Sequence, residues 1–282
     1  MKPNRHNLWT IELKVIEARS TFEMVEWREL WQYRDLFASL VWRDVKIRYA
    51  QSILGIGWAV VQPVFNMVVF TIIFGNLAKM DSEGVPYAIF SFAALVPWTY
   101  FSGALTSASG SLIAASAMIT KVYFPRLVVP VAPVLGKLVD FAVATLLLFG
   151  MMLWFHIPPT FWVLTLPFLV LLMVLTATGL GIWLAALSVH YRDVNYAMQF
   201  AIQALMYAAP VVYPASKIPG PYRLLYGLNP MAGVIEGFRS AFLGTAPMPW
   251  DLLIMGTITA LMITISGIIY FRHMERIFAD VI

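Results

Sequence analysis

Residues 161–189 read FWVLTLPFLVLLMVLTATGLGIWLAALSV, 29 positions without an Asp, Glu, Lys, Arg or His. A helix needs about 20 apolar residues to cross a hydrocarbon core of about 30 Å, so this run is long enough to span a bilayer. Five further apolar stretches flank it, at 53–76, 87–113, 127–155, 196–214 and 252–271. The stretch 196–214 is short for a span and carries Pro210 and Pro214 at its far end. The expected fold is an all-α polytopic membrane protein with six transmembrane helices.

Composition agrees. Hydrophobic residues make up 60% of the chain and charged residues 12%, against about 25% charged in soluble domains. Lipid must therefore be the solvent for much of the surface. Helices satisfy their backbone polar groups within one segment, and the alternation of a membrane β-strand is absent. The chain has no cysteine, which excludes disulfides, thiolate metal sites and Cys nucleophiles. Met1-Lys2-Pro3-Asn4-Arg5-His6 is followed by no apolar run, so no cleavable signal is expected and the first span serves as its own insertion signal.

The charges predict an orientation. Fourteen of the 19 Lys and Arg residues lie before residue 53, between spans two and three (Lys121, Arg126), between spans four and five (Arg192), or in the tail (Arg272, Arg276). Only Lys79, Lys217, Arg223 and Arg239 fall in the opposite connections, and Lys137 lies inside a span. The positive-inside rule puts both termini in the cytoplasm. Seven acidic residues interleave with the basic ones in the N-terminal segment, which argues against a nucleic-acid partner.

Residues 1–27 read as a polar cytoplasmic arm and 28–282 as one membrane domain. Over 28–50, Leu30, Trp31, Tyr33, Leu36, Phe37, Leu40 and Val41 recur at helical spacing with charges between them. That pattern predicts an amphipathic helix lying in the membrane interface or packing on a partner. Between spans five and six, 211–250 is punctuated by Pro214, Pro219, Pro221, Pro230, Pro247 and Pro249. Two short re-entrant helices are expected there, near 221–228 and 230–243, with Asn229-Pro230 starting the second.

Motifs for chemistry on this chain are absent. There is no P-loop, no nucleophile elbow and no H-E-x-x-H. The four histidines, at 6, 156, 190 and 273, lack ligand spacing, so no metal site, catalytic residue or resident cofactor is expected. Lys137 and Asp140 share a helix face, as an internal ion pair or part of an ion path. Glu236 and Arg239 also stand three apart, as a structural pair or a gate latch. Gly233 and Gly237 on the same helix suit tight packing near a symmetry axis. Trp58, Phe65, Phe70, Trp98, Tyr100, Phe101, Tyr207 and Tyr213 lie in the spans or at their outer ends, where aromatic faces could stack on sugar rings.

Several collinear strings resemble a known family. KIRYAQSILGIGW at 46–58 running to Gln62-Pro63, ITKVYFPR at 119–126, YRDV at 191–194, APVVYP at 209–214, and LNPM at 228–231 continuing to EGFR at 236–239 are similar to the permease subunits of polysaccharide ABC transporters. Those subunits export O-antigen, teichoic acid or related glycans. The resemblance covers nearly everything from residue 28 onward. It implies two copies of the chain around a central channel, with two separate ATPase subunits carrying ATP and Mg. Thr120, Lys121, Val122, Tyr123, Phe124, Pro125 and Arg126 would form a coupling helix seated on the ATPase, with Tyr123 and Phe124 as exposed anchors. Arg43 and Arg48 of the interface helix would contact the ATPase from the side. The eight aromatics would line the channel, and Pro214, Asn229, Pro230, Glu236 and Arg239 would belong to an external gate. The implied setting is the bacterial inner membrane, with membrane lipids and a lipid-linked glycan as partners. An ABC permease for a drug or lipid, a gradient-driven flippase and a membrane glycosyltransferase are the alternatives. The last would need an acid pair that the sequence lacks.

Overall fold

The computed structural model describes residues 31–50, 54–191, 193–275 and 278, all helix or connection with no strand among them. We label the helices α1 (Arg34–Tyr49), α2 (Gly55–Leu77), α3 (Tyr87–Ser109), α4 (Val128–Phe155), α5 (Phe161–His190), α6 (Val194–Ala208), α7 (Gly220–Gly227), α8 (Pro230–Phe242) and α9 (Trp250–Glu275). Five of these, α2, α3, α4, α5 and α9, are long and apolar enough to cross a membrane.

In the stretch 196–214 the helix is shorter than the apolar run. Its helix has 15 residues and ends at Ala208, giving a length of about 22 Å at 1.5 Å per residue. Proline at 210 explains the stop, because the residue before a proline is driven out of helical geometry. Ala209 is extended, with φ −96° and ψ 155°. Other boundaries shift less. Of the helix expected at 28–50, Trp31 and Gln32 are helical, Tyr33 is a turn and α1 runs on from Arg34, with residues 28–30 outside the described region. The expected 87–113 span stops at Ser109, and two single helical turns follow, Ser111–Ala114 and Ser116–Ile119.

Helix α3 is the hub. In its most apolar 18-residue window 78% of residues are buried, against 6% for α2. A helix that is apolar on every side belongs in the middle of a bundle. Helices α2, α4, α5 and α8 surround it, and α9 packs along α5. That last contact is close because Gly179 faces the α9 backbone: a Cβ there would come 2.8 Å from Thr264 Cα. The shared core includes Phe90, Phe92, Tyr100, Phe101, Phe141, Phe238 and Phe242. A second cluster ties Leu112, Ile119, Phe124 and Leu127 to Ile182, Phe271 and Phe278.

Candidate functional site

Helices α2 and α6 stand on the outside of the bundle against α3. Their outward faces are not purely apolar. On α2, Gln62 is exposed and Asn66 half-buried, beside exposed Trp58 and Phe65. On α6, Gln199 and Gln203 are exposed beside Tyr196, Phe200 and Tyr207, and Met198 is its one buried residue. Between the two helices, α3 shows Thr99, Ser102 and Thr106 at half-buried or exposed positions. No hydrogen bond within the described protein reaches the Gln62, Asn66, Gln199 or Gln203 side chains. A primary amide has donors and acceptors that hydrocarbon cannot meet.

The eight aromatics divide. Trp58, Phe65 and Tyr207 are exposed, at 53%, 65% and 57%. Phe70 is half-buried and packs edge-to-face on Phe74. Tyr213 is half-buried, with its hydroxyl donating to the Tyr207 carbonyl at 3.0 Å. Trp98, Tyr100 and Phe101 are core residues, which corrects their expected place on an open channel wall. Tyr100 is 2% exposed and donates to the Val134 carbonyl at 3.1 Å, while Trp98 packs on Phe101.

The cytoplasm-facing expectations also divide. Residues 119–126 are not a helix: the last helical turn ends at Ile119 and the chain then runs irregularly to Val128. Thr120, Lys121, Val122 and Tyr123 are exposed. Phe124 and Pro125 are buried, Phe124 within the cluster of Phe271 and Phe278, so Phe124 is no exposed anchor. Arg126 donates to the Glu275 carbonyl at 2.7 Å and so ties this segment to the end of α9.

Arg43 on α1 is exposed. Arg48 turns inward instead. It meets Asp44 at 2.6 Å and Asp140 of α4 at 3.3 Å, and donates to the Gly136 carbonyl at 3.4 Å. Lys137 reaches the same Asp140 at 2.9 Å, and the Tyr49 hydroxyl donates to the other carboxylate oxygen. Helix α1 comes this close because position 136 has no side chain: a Cβ there would lie 2.9 Å from Asp44 Oδ2. Leu40 completes the seam against Val128 and Ala132.

The segment after α6 is held from four directions. Arg239 is fully buried and meets Glu236 at 2.9 Å. It also donates to the carbonyls of Val211 at 2.8 Å and Tyr213 at 3.2 Å, and its guanidinium lies 3.6 Å over the Phe90 ring. Glu236 accepts from the Ala215 N–H at 2.8 Å. Tyr87, at the start of α3, donates to the Val212 carbonyl at 2.8 Å. Pro214 is buried beside this cluster. Asn229 caps α8 by accepting from the Met231 N–H at 3.1 Å, with Pro230 in the first helical position. Every residue of α8 is buried. Its two glycines pack inside this chain and not at a symmetry axis: Gly233 faces the α9 backbone at Leu252, and Gly237 faces Leu169 of α5.

The α2–α3 connection meets the same region. Lys217 pairs with Asp81 at 3.0 Å, and the Ser216 hydroxyl donates to Glu83 at 2.9 Å. The Glu83 N–H, and then Lys217, hold the Asp81 carboxyl below the usual carboxylate range.

Sequence reasoning passed over the four amides. An uncharged Gln or Asn one turn from another within an apolar run was the available signal. It also missed Arg48–Asp140, whose partners are 92 positions apart.

The structure thus has a buried hub helix, flanking helices with a polar face, and α1 bonded to the bundle through Arg48 and Asp140. Residues 35–243 match the family model described as "ABC-2 type transporter". The chain belongs to the ABC-2 type transporter family. It is 31% identical over 217 residues to the O-antigen export system permease protein RfbA of Myxococcus xanthus, covering 76% of this chain and 83% of that one. It is 26% identical to the protein of the same name from Klebsiella pneumoniae over 88% and 95% of the two chains. To the polysialic acid transport protein KpsM of Escherichia coli it is 22% identical, over 72% and 79%. The chain is thus the multi-pass membrane subunit of an ABC-2 type transporter and not itself an enzyme.

Proposed function

We propose that two copies of this chain, with two separate ATPase subunits that bind ATP and Mg, export a lipid-linked polysaccharide across the bacterial cytoplasmic membrane. One observation carries the reading: Gln62, Asn66, Gln199 and Gln203, on helices that flank the hub, have no side-chain hydrogen-bond partner among the described residues. In lipid an unmatched amide is costly, by several kcal/mol. This face therefore meets a second copy, water or a hydroxyl-rich cargo. Exposed Trp58, Phe65 and Tyr207 on the same two helices offer ring faces to the apolar side of sugars. Relatives named for O-antigen export and for polysialic acid transport support a glycan cargo.

In this reading the chain crosses six times. Helix α6 with residues 209–214 makes the fifth passage, and α7 and α8 re-enter from the outer side. Both termini lie in the cytoplasm, as the lysine and arginine distribution supports. The ATPase contacts the exposed residues Thr120, Lys121, Val122 and Tyr123, with Arg43 beside them. Phe124, Pro125 and Arg126 hold that segment to α9, and Arg48 holds α1 to α4. Glu236 and Arg239, with Pro214, Asn229 and Pro230, form the frame of the outer gate.

The test is reconstitution in proteoliposomes with a lipid-linked glycan. Glycan should reach the far leaflet only when ATPase and ATP are both present. Activity of the chain alone would point to a gradient-driven flippase. Transport of hydrophobic dyes without glycan would point to a drug or lipid permease.

A further inference from the structure

We propose that a cavity of about 210 Å³ enclosed by α2, α3, α4 and the end of α6 is a binding subsite for one pyranose ring. The proposal rests on the glycan-conduit reading and adds a discrete place where the cargo is held. The residues that matter are Trp58, Gln62 and Asn66 of α2, Trp98 and Thr99 of α3, and Lys137 of α4.

The chemistry of this lining selects among ligand classes. Gln62 and Asn66 stand one helical turn apart, and neither side chain has a hydrogen-bond partner among the described residues. Each amide can donate and accept at once. Lys137 gives one N–H to Asp140 at 2.9 Å and keeps two more. It fits against α3 because position 103 is glycine, where a Cβ would come 3.2 Å from Lys137 Cε. The exposed Trp58 indole supplies an apolar face, and the buried Trp98 indole forms part of the wall.

An acyl tail would fill the space and leave both amides unmet. A phosphate would want uncompensated cations, but Lys137 is the one cation in the lining and is already paired. Its neighbours balance as well, Arg48 against Asp44 and Asp140. A metal ion would need the Asp140 oxygens, which Arg48, Lys137 and Tyr49 hold. A sugar ring meets every demand: hydroxyls for the amides and the ammonium, and a C–H face for an indole.

The chain has no cysteine, so Ser102→Cys, a near-isosteric change in the lining of α3, introduces a single thiol into the cavity of the full-length protein and keeps both amides. The measurement is its reaction rate with a charged, membrane-impermeant maleimide in opened membrane vesicles. Methyl α-mannopyranoside, methyl β-glucopyranoside and N-acetylglucosamine are the probes, with sorbitol as the osmotic control. Phe200→Cys, on the exposed face of α6 and outside the cavity, is the reference. At least one sugar should slow Ser102→Cys about tenfold when present at about ten times its Kd, and leave Phe200→Cys unchanged. Reaction of Ser102→Cys that no sugar slows overturns the subsite and leaves the conduit standing. So does an unreactive Ser102→Cys beside a reactive Phe200→Cys. If neither thiol reacts, this face is lipid-covered and the conduit reading fails together with the subsite.

Discussion

Arg239→Met is the most informative single change. The native guanidinium is fully buried and has Glu236, the Val211 and Tyr213 carbonyls and the Phe90 ring as neighbours. Methionine fills similar space without charge, so little cavity is created. What remains is a buried Glu236 carboxylate that keeps only the Ala215 N–H. Removing one partner of a buried pair destabilises by about 3–5 kcal/mol. Of the three carbonyls that lose a donor, Phe90 lies within α3, and those of Val211 and Tyr213 would each add about 1–3 kcal/mol, but these losses overlap, because relaxation can let the carbonyls find other donors. We expect about 4 kcal/mol in total. For chains of about 150–250 residues a kcal/mol moves Tm by about 2–4 °C, so the shift should be about 10 °C. The assay is thermal unfolding of the detergent-solubilised protein followed by tryptophan fluorescence. The decisive arm is the double change Glu236→Gln with Arg239→Met. Glutamine keeps an acceptor for the Ala215 N–H and removes the stranded charge. The double variant should therefore be more stable than Arg239→Met alone by about 2 kcal/mol. If Arg239→Met shifted Tm by less than about 2 °C, or if the double variant were no better than the single, burial of an interacting pair would not be what holds this segment.

Four further outcomes are expected. Asp140→Asn weakens the contacts of Arg48, Lys137 and Tyr49, each charged one worth about 1.5–3 kcal/mol. Limited proteolysis should then cut α1 faster while the spans stay protected. Phe124→Ala should lower stability by about 3–5 kcal/mol. Tyr123→Ala should lower Tm less than Phe124→Ala and weaken co-purification with the ATPase, and equal Tm losses for the two would contradict their opposite placement. Gly179→Val drives a side chain into the α9 backbone and should cost at least about 2 kcal/mol, read from the same melting curves. The Asp81 carboxyl is held below its ordinary value, so its contact with Lys217 is complete above the unfolded pKa and lost as pH falls through the lowered one. A fluorophore at Lys79→Cys should report no change from about pH 8 to about pH 5, and a change only below about pH 4.

Much of this fold is legible because a bilayer imposes length and composition on whole segments at once. The runs at 53–76, 127–155, 161–189 and 252–271 differ from the observed helices by a few residues at each end. In the stretch 196–214 the helix end was not legible, because apolarity continues past Pro210 while helix geometry does not. Lys137–Asp140 was legible, since i,i+3 spacing puts both on one face. Arg48–Asp140 was not, since nothing local in the sequence brings α1 against α4. Gly233 and Gly237 announced a close contact but could not name the partner, which lies in the same chain. Tyr123 and Phe124 are neighbours in an irregular segment, and without a helical period no rule says which one turns inward. The burial of Trp98, Tyr100 and Phe101 could have been read from 87–109, which is free of charge and whose hydroxyls from Thr99 onward fall on one side.

The packing separates a stiff part of the molecule from a lightly held one. Helices α3, α5, α8 and α9 interlock around buried phenylalanines and glycine contacts, and Arg239 adds residues 211–215 to that block. Helix α1 and the segment after Ile119 are fastened to its other end through Asp140 and through the Glu275 carbonyl. By contrast, only 6% of the α2 window is buried, and α6 buries only Met198. Both loosely held helices end in irregular backbone, a π-helical turn at Thr71–Leu77 for α2 and the extended Ala209 for α6. Such turns are common where helices bend for function. The polar amides and free aromatic rings sit on these same two helices. In the proposed assembly a force applied through α1 or the segment after Ile119 reaches this block first, and the contacts of α2 and α6 with the second copy or the cargo decide how far those two helices follow it.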